Sequence, residues 1–230
     1  MSSKSQKKAT KPKSGPDFSI EKSIGGRVCG LDEVGRAPVA GCVVAACVFI
    51  PEEHLGKDIW KRVNDSKVLT RKTREDMVSE IKEYSFWGIG QACPREIENI
   101  NIVQASFLSM KRAYEVMCGQ FNIVPDAALI DGHIKPDLPC AMQAVVKGDS
   151  KSISIAAASI IAKVHRDNIL SELAQLHPHY GWERNVGYPT LEHLSAIERH
   201  GITEHHRKTF APIRNFIEFG SVTPQLKLAI

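Results

Sequence analysis

The chain has 230 residues, 43% hydrophobic and 24% charged, with a formal net charge of +4, the size and make-up of one globular domain with small appendages. Five of the lysines fall in residues 1–16, which carry no acid. The rest is therefore nearly neutral, and any grip on nucleic acid must come from local basic clusters rather than a global field.

Residues 1–25 read as a disordered basic tail, small, polar and without apolar periodicity. No apolar stretch follows its lysines, as a signal peptide would require, and no run of about 18 apolar residues marks a membrane span. Residues 27–34 and 41–50 are short, β-branched-rich and bounded by Gly and Pro, which predicts two strands joined by a loop. Thr70 is a candidate N-cap, and Met77, Ile81 and Tyr84 follow on one helical face. Residues 85–92 predict a third strand and 99–117 a helix carrying Phe107, Met110, Ala113 and Met117. Strands at 126–131 and 141–147 precede a long Ala- and Ile-rich helix over 150–173, whose small residues suit close packing on a sheet. A last helix is predicted over 190–200. Hairpin strands followed by helix–strand alternation imply an α/β fold with a mixed sheet. The six cysteines lack CxxC spacing and sit mostly in apolar segments, which reads as reduced thiols in a cytoplasmic protein.

Carboxylates stand at the edges of three apolar strands. Asp32 and Glu33 end the first, Asp131 follows Ala-Leu-Ile, and Asp149 directly precedes the long helix. Burying a charge without a partner is expensive, and acids converging at one sheet edge repel unless a cation lies between them. An all-oxygen set of this kind suits Mg²⁺ or Mn²⁺. Neighbours on an ideal strand face opposite ways, so Asp32 and Glu33 reach one metal only if the chain bends, for which Gly35 is placed. Any one of these acids alone reads rather as a solvated turn residue.

The surrounding motifs narrow the reading. GLDEVGRAPVAG, NDSKVL, IDG, VKGDSKSISIAAASIIAKVHRD, VGYPT and HRKTFAPIR occur in this order from about Gly26 to Asn215. In order and spacing they resemble ribonuclease HII, the bacterial type 2 ribonuclease H family. The resemblance implies a ribonuclease H-like fold, a mixed β-sheet flanked by helices with a helical C-terminal part. It places a catalytic domain at 26–217 and a tail at 218–230. The implied activity is metal-dependent hydrolysis of the phosphodiester 5′ to a ribonucleotide, in RNA/DNA hybrids or singly embedded in duplex DNA. Asp32, Glu33, Asp131 and Asp149 match the family's metal-binding and catalytic carboxylates, which hold two divalent ions with Asp32 bridging.

The resemblance also implies substrate contacts. Gly35, Arg36 and Ala37 stand where the family has Gly-Arg-Gly, a loop whose backbone meets the 2′-hydroxyl that distinguishes RNA from DNA; Ala37 departs from the pattern. Tyr188 matches a tyrosine that packs on the sugar of the following deoxynucleotide, and Val186 replaces a Lys found in many bacterial relatives. Asn64, Ser66 and Lys67 offer phosphate donors. Ser159, Lys163 and Arg166 share one helical stripe, read either as a face along the DNA backbone or as a solvated face with ion pairs to Asp167 and Glu172. His205, His206 and Arg207 lie in the C-terminal signature and are assigned supporting roles. His133 is near Asp131 in sequence only. The sister class, ribonuclease HIII, implies a longer N-terminal region than this chain offers. A non-enzymatic nucleic-acid binder has no use for four acids facing phosphates.

Overall fold

The computed structural model describes residues 15–223. Five strands form one mixed sheet in the order β3-β2-β1-β4-β5. They are β1 (Val28–Val34), β2 (Val43–Phe49), β3 (Phe86–Ala92), β4 (Ala127–Asp131) and β5 (Ala141–Val145). β1, β2 and β3 pair antiparallel, while β4 lies parallel to both β1 and β5. All five lie where the β-branched runs predicted them. The expected sixth and seventh residues of β5 leave the ladder, because Lys147 turns into the left-handed region (φ 55°).

The alternation of the strands sorts the core into two layers. Val44, Ala46 and Val48 of β2 face a layer built by α2 (Arg71–Glu83) and α4 (Ile153–Leu176). Ala45 and Cys47, with Cys29 and Leu31 of β1, face α3 (Pro94–Phe121) instead. Gly30 shows how close α4 comes: a Cβ there would lie 2.3 Å from the Ser154 carbonyl carbon. The Ala-rich stretch of α4 supplies the matching flat surface, with Ala156, Ala157 and Ala158 wholly buried.

Local chemistry sets the helix ends. Thr70 caps α2 as expected, its hydroxyl accepting from the Thr73 N–H at 3.1 Å. Ser152 caps α4 through Ile155 N at 3.2 Å, so α4 begins three residues later than predicted. Before it, Gly148–Ser150 form one 3₁₀ turn. The helix expected over 99–117 starts earlier, at Pro94, where Glu96 accepts from the Cys93 N–H at 2.9 Å in a capping box. It is broken at Asn101 (φ 65°, ψ 167°), whose side chain re-caps the second segment through Val103 N and Gln104 N. The predicted period belongs to that second segment.

α5 (Trp182–Asn185), α6 (Leu191–His200) and α7 (Ala211–Phe219) form the helical C-terminal part. They enclose a separate apolar cluster with Val39, Ala40, Leu170 and Trp182. The expected tail therefore cuts into the end of α7. At the other terminus α1 (Ser19–Ile24) lies within residues expected to be disordered. Glu21 fixes it by accepting from Ser152 Oγ, Ser154 N and Ser154 Oγ at 2.7–3.0 Å. Residues 1–14 and 224–230 lie outside the described part. No described helix is long and apolar enough to cross a membrane, and the six cysteines are free.

Candidate metal centre and nucleic-acid interface

Strand parity decides which acids meet. Cys29 and Leu31 face α3, so Asp32 must face α4 and Glu33 must face α3. β1 runs without a bend through this point, pairing Asp32 with Ala46 and Glu33 with Ala45. Asp131 ends the neighbouring parallel strand β4, and Asp149 sits in the 3₁₀ turn that leads into α4. Carboxylate oxygens of Asp32, Asp131 and Asp149 lie within 4.8 Å of one another. These three converge, and Glu33 beside them accepts from Arg36 Nη1 at 3.3 Å. Glu33 and Asp131 both line an adjoining cleft of about 270 Å³ with Arg36, Phe107 and His133.

Charge is concentrated in this site. Burial drives the Asp32 carboxyl well above the ordinary range, and Glu33, Asp131 and Asp149 add to the rise, opposed by the Ser159 hydroxyl. Burial likewise raises Asp149, with Asp131 and Asp65 adding and Lys67 opposing. Lys67 Nζ lies 3.4 Å from Asp149 Oδ2. Glu33 is raised by burial despite Arg36. Three oxygen ligands held together against their own repulsion fit a divalent cation such as Mg²⁺ or Mn²⁺.

The other sequence-derived residues divide by burial. Ser66 is buried, its Oγ 2.7 Å from that of Ser159, so the two hydroxyls lead from the Asn64–Lys67 loop to Asp32. Asn64 spends its Oδ1 on the Asp65 N–H at 2.9 Å. Lys67 is largely exposed and Tyr188 is 45% exposed. The helix stripe does not form a phosphate-binding face. Lys163 is paired with Asp167 at 2.7 Å. Arg166 is buried to 1% exposure and donates to the carbonyls of Cys42, Val186 and Ala40 at 2.9–3.0 Å. Its guanidinium is consumed by backbone, and the phosphate role read from the stripe is corrected accordingly.

Arg166 instead explains Gly35. That residue has φ +93°, and a Cβ there would lie 2.2 Å from Arg166 Nε. Ala37 is exposed and has no positive φ, so its methyl costs the loop nothing in backbone strain. Arg207, wholly buried, closes the loop from behind with bonds to the carbonyls of Gly41, Arg36 and Gly35 at 2.9, 3.0 and 2.6 Å. Arg74 is a further buried guanidinium, donating to the carbonyls of Ser66 and Leu69 at 2.8 and 2.6 Å. Nothing in the Arg74 sequence context marks it, since a lone Arg on an amphipathic helix reads as solvated.

Val186 adopts φ 44°, ψ 37°, a left-handed conformation that is costly for a β-branched side chain. Val186→Asn is expected to stabilise the protein by about 1 kcal/mol, because Asn tolerates this region. The shift in the urea midpoint at unchanged slope measures it.

Comparison with known proteins agrees with this architecture. The sequence profile of the family described as Ribonuclease HII matches residues 29–213. Ribonuclease HII of Paramagnetospirillum magneticum is 47% identical over 207 residues, covering 89% of this chain and 100% of that protein. The Rhodospirillum rubrum protein of the same name is 50% identical over 201 residues, covering 86% of this chain and 90% of its own. Among solved structures, ribonuclease H2 from Pyrococcus horikoshii OT3 superposes with a TM-score of 0.66 at 24% identity, over 84% of this chain and 97% of that one. Bst-RNase HIII, solved in complex with Mn²⁺, gives 0.70 at 20% identity, over 88% of this chain and 73% of its own. These two likenesses establish the fold, a mixed sheet of ribonuclease H type. The profile spans both the acid-bearing strands and the C-terminal helices, and near-half identity extends over almost the full length of the relatives. The chain thus belongs to the ribonuclease HII family and is a hydrolase of the ribonuclease H kind.

Proposed function

We propose that this ribonuclease H hydrolyses the phosphodiester 5′ to a ribonucleotide, in RNA/DNA hybrids and at single ribonucleotides embedded in duplex DNA. The products are 3′-hydroxyl and 5′-phosphate ends, and the role is ribonucleotide removal from DNA. The observation that carries the reading is the triad of Asp32, Asp131 and Asp149 oxygens within 4.8 Å at one sheet edge.

Asp32, Glu33, Asp131 and Asp149 would hold two Mg²⁺ or Mn²⁺ ions. Such ions make water a competent nucleophile near neutral pH and offset charge building on the phosphate and leaving oxygen. The chain does the rest by placement. Lys67 balances Asp149 and remains open to a phosphate. Arg207 takes the carbonyls of Gly35 and Arg36, so residues 35–37 offer their amide N–H groups to the ribose 2′-hydroxyl. Tyr188, exposed at the surface, packs on the next sugar and favours one lacking that hydroxyl. Asn64 and Ser66 order the phosphate-side loop. The catalytic unit spans 26–217, with α1 strapped to it, and free thiols fit a cytoplasmic location.

Calorimetric titration of Mn²⁺ tests the ligand set independently of activity. The protein is expected to take up the ion, and Asp131→Asn is expected to weaken uptake by at least about tenfold, the cost of removing one charged oxygen ligand. Incision is expected to stop in excess chelator. Full incision after exhaustive chelation, or undiminished Mn²⁺ uptake by the variant, contradicts the reading.

A further inference from the structure

Two buried side chains that follow one another in sequence reach in different directions. Arg207 holds the carbonyls of Gly35 and Arg36, which belong to the loop proposed to meet the ribose. His206, also wholly buried, reaches the segment proposed to meet the next sugar. Its connection runs through His193 in a chain of hydrogen bonds whose direction is determined by chemistry.

An indole N–H only donates, so Trp182 Nε1, 3.0 Å from His193 Nε2, makes that nitrogen an acceptor. The proton of His193 therefore sits on Nδ1, which donates to the Tyr188 carbonyl at 2.9 Å. The backbone N–H of Thr203 donates to His206 Nδ1 at 2.9 Å, which places the His206 proton on Nε2, 3.1 Å from His193 Nε2, where it shares that nitrogen's single lone pair with the Trp182 N–H. Both imidazoles are neutral in this arrangement. Burial above all, reinforced by His193, holds His206 down to about 3, and burial lowers His193 as well. Backbone bonds weld the same elements together: Arg207 N to Val39 O at 2.8 Å, Gly41 N to His205 O at 2.9 Å, and Val39 N to Gly187 O at 2.9 Å.

We propose that His193, His206 and Arg207 are positioning residues that form one brace, setting the separation between residues 35–37 and Tyr188 and so the ability to read an RNA-to-DNA junction. The inference rests on the proposed roles of those two elements. No member of the brace touches the metal-binding carboxylates, so it acts on substrate discrimination and not on metal uptake. The three carbonyls are met by three different nitrogens of the planar guanidinium fork, a spacing a compact ammonium does not reproduce, so Arg207→Lys belongs with the disruptive changes.

The test uses the full chain with His193→Phe, which keeps ring volume but loses the Nδ1 donor, and His193→Asn, whose amide restores a donor near the same place. Rates are compared on a duplex with one embedded ribonucleotide and on a continuous RNA/DNA hybrid, with melting temperature and Mn²⁺ titration alongside. His193→Phe and Arg207→Lys are expected to cut the junction-to-hybrid ratio of kcat/KM by about tenfold, the upper range for one lost hydrogen bond. Mn²⁺ affinity should be unchanged, His193→Asn should recover most of the ratio, and adding His193→Phe to Tyr188→Ala should cost nothing further. Equal losses on both substrates, or an unchanged ratio, in His193→Phe overturn the brace if Tyr188→Ala alone does shift the ratio. An unshifted ratio in Tyr188→Ala overturns the reading of Tyr188 itself, and the brace with it.

Discussion

Asp32→Asn is expected to lower incision by roughly three orders of magnitude, about 4 kcal/mol of transition-state stabilisation. Asp32 is buried as deeply as Asp149 and more than Asp131, on the strand that lies between β2 and β4. An amide there removes one of the charges proposed to hold a cation together with Asp131 and Asp149. The same change should stabilise the protein in chelator. Burial and three acidic neighbours make ionised Asp32 costly in the folded state, and the uncharged isostere relieves that cost. A raised melting temperature in chelator together with lost incision is the joint result expected from a site built for a cation. A variant cutting at near the unmodified rate would remove Asp32 from the centre of the mechanism.

Gly35→Ala is expected to be nearly as severe, through shape rather than charge. The new methyl would meet Arg166 Nε at 2.2 Å with a backbone at φ +93°. Arg166 cannot step aside without releasing three carbonyls inside the protein, and unpaired buried polar groups cost about 1–3 kcal/mol each. A stability loss of about 3 kcal/mol or more is therefore expected, with incision at embedded ribonucleotides down about a hundredfold. Denaturation midpoints and single-turnover rates report the two effects separately. By contrast Ala37→Gly should preserve or raise junction cutting, because Ala37 is exposed and unstrained.

The strands were legible in the sequence because each is a short β-branched or small-residue run bounded by Gly, Pro or charge, a signal that depends on nearest neighbours alone. The same period-two rule that placed Asp32 also warned that Glu33 faces away, and β1 obeys it without the bend that Gly35 had suggested. That glycine serves Arg166 instead. Helix α3 starts before its hydrophobic period does, since Asn101 breaks that period through an Asx-type re-capping that a hydrophobic pattern does not register. Arg166 and Lys163 read in the sequence either as a polar stripe open to phosphate or as a solvated face with ion pairs, and Lys163 does pair with Asp167. Burial of Arg166 depends on the carbonyls of Ala40, Cys42 and Val186 closing round it, which no local window contains. α1 escaped notice for a similar reason: its hold on the domain is Glu21 reaching the start of α4, 131 residues away. Three of the four acids could be brought together only by sheet order, with β4 added parallel beside β1.

The central claim is that a cation held by Asp32, Asp131 and Asp149 works beside a pair of elements reading the 2′-hydroxyl and the sugar after it. Side-by-side incision rates on a single-ribonucleotide duplex, a continuous RNA/DNA hybrid and an all-DNA duplex, each with Mg²⁺, Mn²⁺ or chelator, test it most directly. The expected result is divalent-dependent cutting 5′ to the lone ribonucleotide, leaving 3′-hydroxyl and 5′-phosphate ends, with all-DNA untouched. Efficient cutting of the hybrid with the embedded ribonucleotide ignored would contradict the account.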